Sequence, residues 1–213
     1  MWKKAQNPDL FGGLYNGPEE VIDFSIPGGE LCLFPRLVGE SESESLFAKL
    51  LEETRWVQES ITLYGKTCLS PRLTAWHGDP GKSYKYSGIH HSPLPWTAGL
   101  TGIRQLVQQA AEVEFNSVLL NLYRSGIDSV SWHADDEPEL GRNPVIASVS
   151  LGAARTFQLK HKTRRGEKRA LVLQNGSCLV MKGSTQHNWL HQVPKEPSAA
   201  GQRINLTFRV IKK

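Results

Sequence analysis

The chain of 213 residues is long enough for one compact domain with a substantial core and only marginally long enough for two. A hydrophobic share of 39% and a charged share of 22% exclude a disordered or fibrous class, and no apolar run approaches the roughly 18 residues of a membrane helix. The net charge of +4 and pI near 9.0 admit a polyanionic partner without requiring one. No apolar segment with a small-residue cleavage site follows Met1, and the odd set Cys32, Cys68 and Cys178 has no CxxC spacing. A monomer inside the cell is therefore expected, cytoplasmic if bacterial and nuclear if eukaryotic, with the cysteines as small buried apolar residues.

Residues 1–40 are rich in Gly and Pro, and the short apolar run Glu30–Phe34 suggests irregular structure with an edge strand. Alternating Ser and Glu at 41–45 precede Leu46, Phe47, Leu50 and Leu51, which share one face of a helix begun by a Ser N-cap and early acids. A second amphipathic helix is expected over 97–114, opened by Thr97, with Leu100, Ile103, Val107, Ala110 and Ala111 on its apolar face. The period then changes to strand-like runs at 116–124, 145–151, 155–161, 169–174, 177–183 and 203–211, separated by turn residues. Two helices followed by many short strands make an α+β domain around an all-β barrel or jelly roll. Between two of those strands, Lys160, Lys162, Arg164, Arg165, Lys168 and Arg169 face a single acid, Glu167, in a segment that reads as a hairpin tip suited to solvent or to phosphates.

The chemistry concentrates after residue 120. In extended chain His133 and Asp135 point to the same side, about 7 Å apart, which suits two ligands of one metal. A third ligand is offered by His187 or His191 after the strand at 177–183. Two histidines and a carboxylate leave coordination positions open, as in non-haem iron(II) oxygenases, although zinc accepts the same donors. The terminal strand alternates Arg203, Asn205, Thr207 and Arg209 with Ile204, Leu206 and Phe208. One face is strongly apolar, so the other lines a polar interior, and two guanidinium groups there require anions. A small dicarboxylate such as 2-oxoglutarate, or protein acids such as Asp135, would meet that need.

These residues resemble the AlkB-type alkylation-repair dioxygenases. The resemblance rests on Asn121-Leu-Tyr123, His133-Ala-Asp135-Asp136-Glu137-Pro138, Ile146–Ser150, His191-Gln-Val-Pro194 and the alternating strand Arg203–Arg209, in the family's order. It extends to Pro71–Gly78 and Tyr84–Gly88 and covers residues 60–211. It implies a double-stranded β-helix, or jelly-roll, core over 116–211 with two supporting N-terminal helices, a nucleotide-recognition region over 61–115 and an N-terminal extension and helix over 1–60. It further implies iron(II) on His133, Asp135 and His191, with His191 preferred over His187 because it precedes the family's Val-Pro step. Asn121, Tyr123, Arg203, Thr207 and Arg209, joined by Asn205 on the same strand face, would hold 2-oxoglutarate, and O2 would be the oxidant.

By the same resemblance, Trp76, Tyr84, Tyr86 and Asp136 form the base pocket, with Glu137 beside them, and Tyr64 takes the place of an aromatic finger. Tyr84 and Tyr86 share a strand face and offer rings for stacking. An acid at the pocket has a physical reason, because 1-methyladenine and 3-methylcytosine carry positive charge. The implied activity is demethylation of such bases in DNA or RNA, with 2-oxoglutarate decarboxylated and formaldehyde released. A dioxygenase acting on a protein side chain or small metabolite, and a nucleic-acid-binding protein on an inactive jelly roll, are the competing readings.

Overall fold

The structure is a computed structural model that describes residues 21–63, 66–82, 84–86, 89–199 and 201–212, with the side chains of 61–66 and 83–91 outside the description. In chain order the elements are β1 (Ile22–Ile26), β2 (Gly29–Phe34), α1 (Glu40–Glu53), β3 (Ser60–Leu63), β4 (Lys66–Leu69), β5 (Leu73–Gly78), β6 (Tyr84–Tyr86) and β7 (Ile89–His91). There follow α2 (Ala98–Ala111), β8 (Ser117–Tyr123), β9 (Val130–His133), β10 (Ile146–Gly152), β11 (Arg155–His161), β12 (Lys168–Leu173) and β13 (Cys178–Lys182). The short α3 (Thr185–Asn188), β14 (Trp189–Val193) and β15 (Arg203–Arg209) complete it.

The principal sheet runs β1-β2-β13-β10-β15-β8-β5 and the second runs β12-β11-β14-β9, with antiparallel pairing throughout both. Two antiparallel sheets joined this way form the jelly roll expected from the short strands. Alternation sorts the side chains. Ile204, Leu206 and Phe208 of β15 and Val118, Leu120 and Leu122 of β8 pack with Leu46 and Leu50 of α1 and Leu100, Ile103 and Val107 of α2. The opposite face of the same sheet, with Tyr123, Ile146, Leu179 and Met181, meets Phe157, Leu159, Trp189 and Val193 of the second sheet. Each side chain of β15 is thus committed either to the helices or to the space between the sheets.

Four expectations change. The run Glu30–Phe34 is not an edge: β2 lies between β1 and β13, with Leu31, Cys32, Leu33 and Phe34 all buried. A continuous apolar run is what a strand covered on both faces requires. Because β1, β2 and β5 join the principal sheet, the jelly roll draws on residues well before 116. The first helix is capped by Gly39 and makes no side-chain capping bond; Glu42 folds back so closely that a Cβ on Gly39 would stand 2.3 Å from its Oε2. Thr97, by contrast, caps α2 as expected, its side chain accepting from Leu100 N at 3.3 Å. Cys32 and Cys178 are buried, but Cys68 is exposed.

Arg155 ties the loops beside the site to β11. Its Nη2 donates to Asp128 O at 3.0 Å and Pro194 O at 2.6 Å, its Nη1 to Ser125 O at 3.2 Å, and its Nε to Glu196 Oε2 at 2.9 Å. Removing one partner of a buried charged network leaves the others unsatisfied. Arg155→Ala is expected to cost about 3–5 kcal/mol in urea unfolding, whereas Arg155→Met with Glu196→Gln should recover part of that loss.

Candidate metal and cosubstrate site

His133 ends β9 and stands opposite His191 of β14 in the strand register, so the two imidazoles project together between the sheets. Their ring centroids are 4.3 Å apart, edge to face. Two residues beyond His133, Asp135 swings its carboxylate into the same space. Ligand atoms of His133, Asp135 and His191 all lie within 4.8 Å of one another, which brings three of the sequence-derived candidates to one point. His187 is elsewhere, on α3, where its Nε2 accepts from Asn143 N at 3.1 Å.

Each member of the cluster is held from behind. His133 Nδ1 lies 2.8 Å from Ser131 O, which leaves Nε2 facing the cluster, 4.0 Å from Asp135 Oδ1. Such a bond fixes ring orientation and tautomer. Phe157 stacks on His191 at 5.2 Å. The fully buried Gln186 accepts from Asp135 N at 2.9 Å, and Arg209 Nη2 donates to Asp135 Oδ1 at 2.7 Å.

These surroundings set protonation. Burial, followed by the neighbouring His133, pushes the His191 pKa down to about 3, so this ring is neutral and keeps a lone pair for a metal. Burial opposes ionisation of Asp135, but Arg209, His191 and His133 outweigh it and hold the carboxyl below its ordinary value. The donors are therefore two imidazole nitrogens and a carboxylate, the set that suits iron(II) with open positions.

The cluster opens into a cavity of about 710 Å³ between the sheets. Its inner wall carries Asn121 and Tyr123 of β8 and all four polar residues of β15: Arg203, Asn205, Thr207 and Arg209. Asn205 and Thr207 are bonded into the wall, through Asn205 Nδ2 to Ser148 Oγ at 2.7 Å and Thr207 Oγ1 to Asn205 Oδ1 at 2.8 Å. Arg203 is different. It is 1% exposed, its Nη2 donates to Ser150 Oγ at 3.0 Å, and its Nε and Nη1 meet no hydrogen-bond acceptor among the described residues. Burial lowers its pKa from the ordinary value, and Tyr123 lies beneath it, 5.1 Å from guanidinium carbon to ring centroid. A buried cation with open donors fits a carboxylate supplied from outside the chain. One arginine of the strand thus pairs with Asp135, while the other awaits an anion.

Among the base-pocket candidates, Trp76 and Glu137 line the cavity. Asp136 does not; its exposed carboxylate accepts from Lys162 Nζ at 2.9 Å on the hairpin side. Tyr84 and Tyr86 lie on β6, with side chains outside the described set, and Tyr64 falls outside the described residues altogether. Sequence reasoning passed over Arg72, whose Nε donates to Asn121 Oδ1 at 2.6 Å, and the supports Gln186 and Phe157. Arg72, Ser148 and Ser150 stood within the quoted motifs, but only the tertiary pairing shows what they touch.

A jelly roll with a two-histidine, one-carboxylate centre and a buried arginine opposite defines a class of metal-dependent oxygenases, and the 2OG-Fe(II) oxygenase superfamily model matches residues 30–209. The chain belongs to that superfamily and, within it, to the AlkB-type dioxygenases. It is 40% identical over 205 residues to alpha-ketoglutarate-dependent dioxygenase alkB homolog 3 of Homo sapiens, covering 91% of this chain and 71% of that protein. It is 37% identical over 190 residues to the DNA oxidative demethylase ALKBH2 of Homo sapiens, covering 84% and 73%. The solved structure of OsALKBH1 superposes with a TM-score of 0.61 at 16% identity, over 90% of this chain and all of that one, which bears on the fold. Iron(II), 2-oxoglutarate and O2 are the cofactor, cosubstrate and oxidant of this class of enzyme, and the donor set and the open Arg203 fit the first two.

Two outcomes follow for the metal-free protein. The depressed His191 pKa favours the folded state fully above about pH 6.5, and that contribution drains away as pH falls toward 3. Chemical denaturation from pH 7 to 5 should show a loss that His191→Leu removes. Arg203→Met should leave the unliganded protein equally or more stable, because an uncompensated buried charge is gone, yet abolish the rise in melting temperature on adding 2-oxoglutarate with iron(II) under nitrogen.

Proposed function

We propose that this protein removes methyl groups oxidatively from nucleobases of DNA or RNA, with the cationic lesions 1-methyladenine and 3-methylcytosine as substrates. The observation that carries the reading is one cavity holding the His133–Asp135–His191 cluster, the anion-seeking Arg203 and a wall with Trp76 and Glu137. The relatives named as alkB homolog 3 and as a DNA oxidative demethylase support the nucleic-acid substrate.

In this reading His133, Asp135 and His191 hold the metal, and Arg203 pairs with the far carboxylate of 2-oxoglutarate. Asn121, Tyr123, Asn205 and Thr207 shape the space for its carbon chain. Arg209 stays bonded to Asp135, keeping that ligand ionised and aimed while it faces the 2-oxo acid end. Bound iron(II) and 2-oxoglutarate would supply the oxidation: one atom of O2 goes to 2-oxoglutarate, which becomes succinate and carbon dioxide, and the other to the N-methyl group of the base, whose hydroxymethyl product breaks its C–N bond to release formaldehyde and a proton and restore the neutral base. The chain's own part is placement. The everted base rests against His133 and the aromatic wall, and Glu137 puts negative charge where a methylated ring is positive. Tyr84 and Tyr86 on β6 serve as additional stacking rings, and Tyr64 as an aromatic finger.

A short oligonucleotide with one 3-methylcytosine, incubated with iron(II), 2-oxoglutarate and O2, should lose the mass of a methylene group and release formaldehyde, with Asp135→Ala inactive. Succinate formation with an unchanged oligonucleotide would favour a protein or metabolite substrate. Glu137→Gln should reduce kcat/KM on 3-methylcytosine about tenfold, the effect of one charge-assisted contact.

A further inference from the structure

Trp132 has no part in the chemistry above, yet its position gives it one in choosing the substrate. It immediately precedes His133 on the edge strand β9, so alternation turns its ring to the face of that strand away from the metal cluster, half-buried beside the cavity that Trp132 helps line. Lys160 reaches it from β11, with β14 running between the two strands, and sets its Nζ 4.4 Å from the ring centroid. Beyond Lys160 lies the β11–β12 hairpin with Lys162, Arg164, Arg165, Lys168 and Arg169, of which Lys162 pairs with Asp136 and Arg169 with Glu167. The rim therefore presents an aromatic ring, a cation laid over it and a surplus of positive charge leading away.

We propose that Trp132 and Lys160 form a subsite for the unpaired nucleotide next to the everted base, which rests on the reading that the substrate is a nucleic acid. A nucleotide brings both a π-face and a phosphate. Base stacking on an aromatic side chain is worth more than a cation–π contact at an exposed site, so the ring exchanges the ammonium for a base while the ammonium takes a phosphate. The arrangement commits the site to a single strand at this rim, because stacking on Trp132 uses the face that a neighbouring base would occupy in a duplex. It also makes affinity depend on substrate length, since a mononucleotide fills the cavity but cannot reach the rim.

The test compares KM for 3-methylcytosine in a trinucleotide and in a mononucleotide, using iron(II)-loaded enzyme with 2-oxoglutarate and O2. Trp132→Ala should raise the trinucleotide-to-mononucleotide KM ratio about tenfold, and Trp132→Phe should restore most of it. Lys160→Ala should lower the dependence of log KM on log salt for the trinucleotide by about 0.7. Equal effects on both substrates would assign Trp132 to supporting His133 and overturn the subsite, as would a phenylalanine variant no better than alanine. If the unaltered enzyme demethylates neither substrate, the nucleic-acid reading fails and the subsite with it; if it demethylates both and the ratio does not move, only the subsite fails.

Discussion

The strand register that sets His133 opposite His191 is the constraint from which the rest of the site follows. The two imidazoles lie 4.3 Å apart between ring centroids, and burial keeps His191 neutral beside its neighbour. Asp135 then brings the one negative charge to the cluster, and Arg209 balances it at 2.7 Å. A metal cation entering this cluster finds two lone pairs and a carboxylate already oriented. The site is thus pre-organised by its backbone and by supporting residues: Ser131, Phe157, Gln186 and Arg209.

The same strand that supplies Arg209 supplies Arg203, and the two guanidiniums have opposite situations. Arg209 is answered by Asp135, while the Nε and Nη1 of Arg203 find no acceptor among the described residues. Such a charge is costly to bury, and a fold keeps it when a ligand completes it. The interior face of β15 accordingly gives the cavity a polar wall, and its apolar alternates, Ile204, Leu206 and Phe208, anchor that wall to the helices.

Much of this was legible in the chain because period-two alternation is a local signal. The strands expected at 116–124, 145–151, 155–161, 169–174, 177–183 and 203–211 appear within two residues of β8, β10, β11, β12, β13 and β15. The polar face of β15 and the pairing of His133 with Asp135 were readable for the same reason. What escaped depends on partners distant in sequence. β2 becomes internal only because β13, some 145 residues on, pairs with it. Asp136 is turned from the cavity toward Lys162 of the hairpin, with which it pairs, and one residue later Glu137 lines the cavity instead. Gly39 caps α1 with Glu42 folded back over it, an arrangement that a Ser-Glu repeat does not distinguish from a serine cap.

X-ray absorption by the iron(II)-loaded protein under nitrogen, before and after 2-oxoglutarate, reads the metal's neighbours directly. Multiple scattering from two imidazoles, with nitrogen and oxygen donors and no sulfur, is expected before the cosubstrate is added. Replacement of water oxygens by a chelating 2-oxo acid is expected afterwards. A spectrum with one imidazole or none, or one that 2-oxoglutarate leaves unchanged, would contradict the assignment of His133, Asp135 and His191 as the centre of an oxygenase.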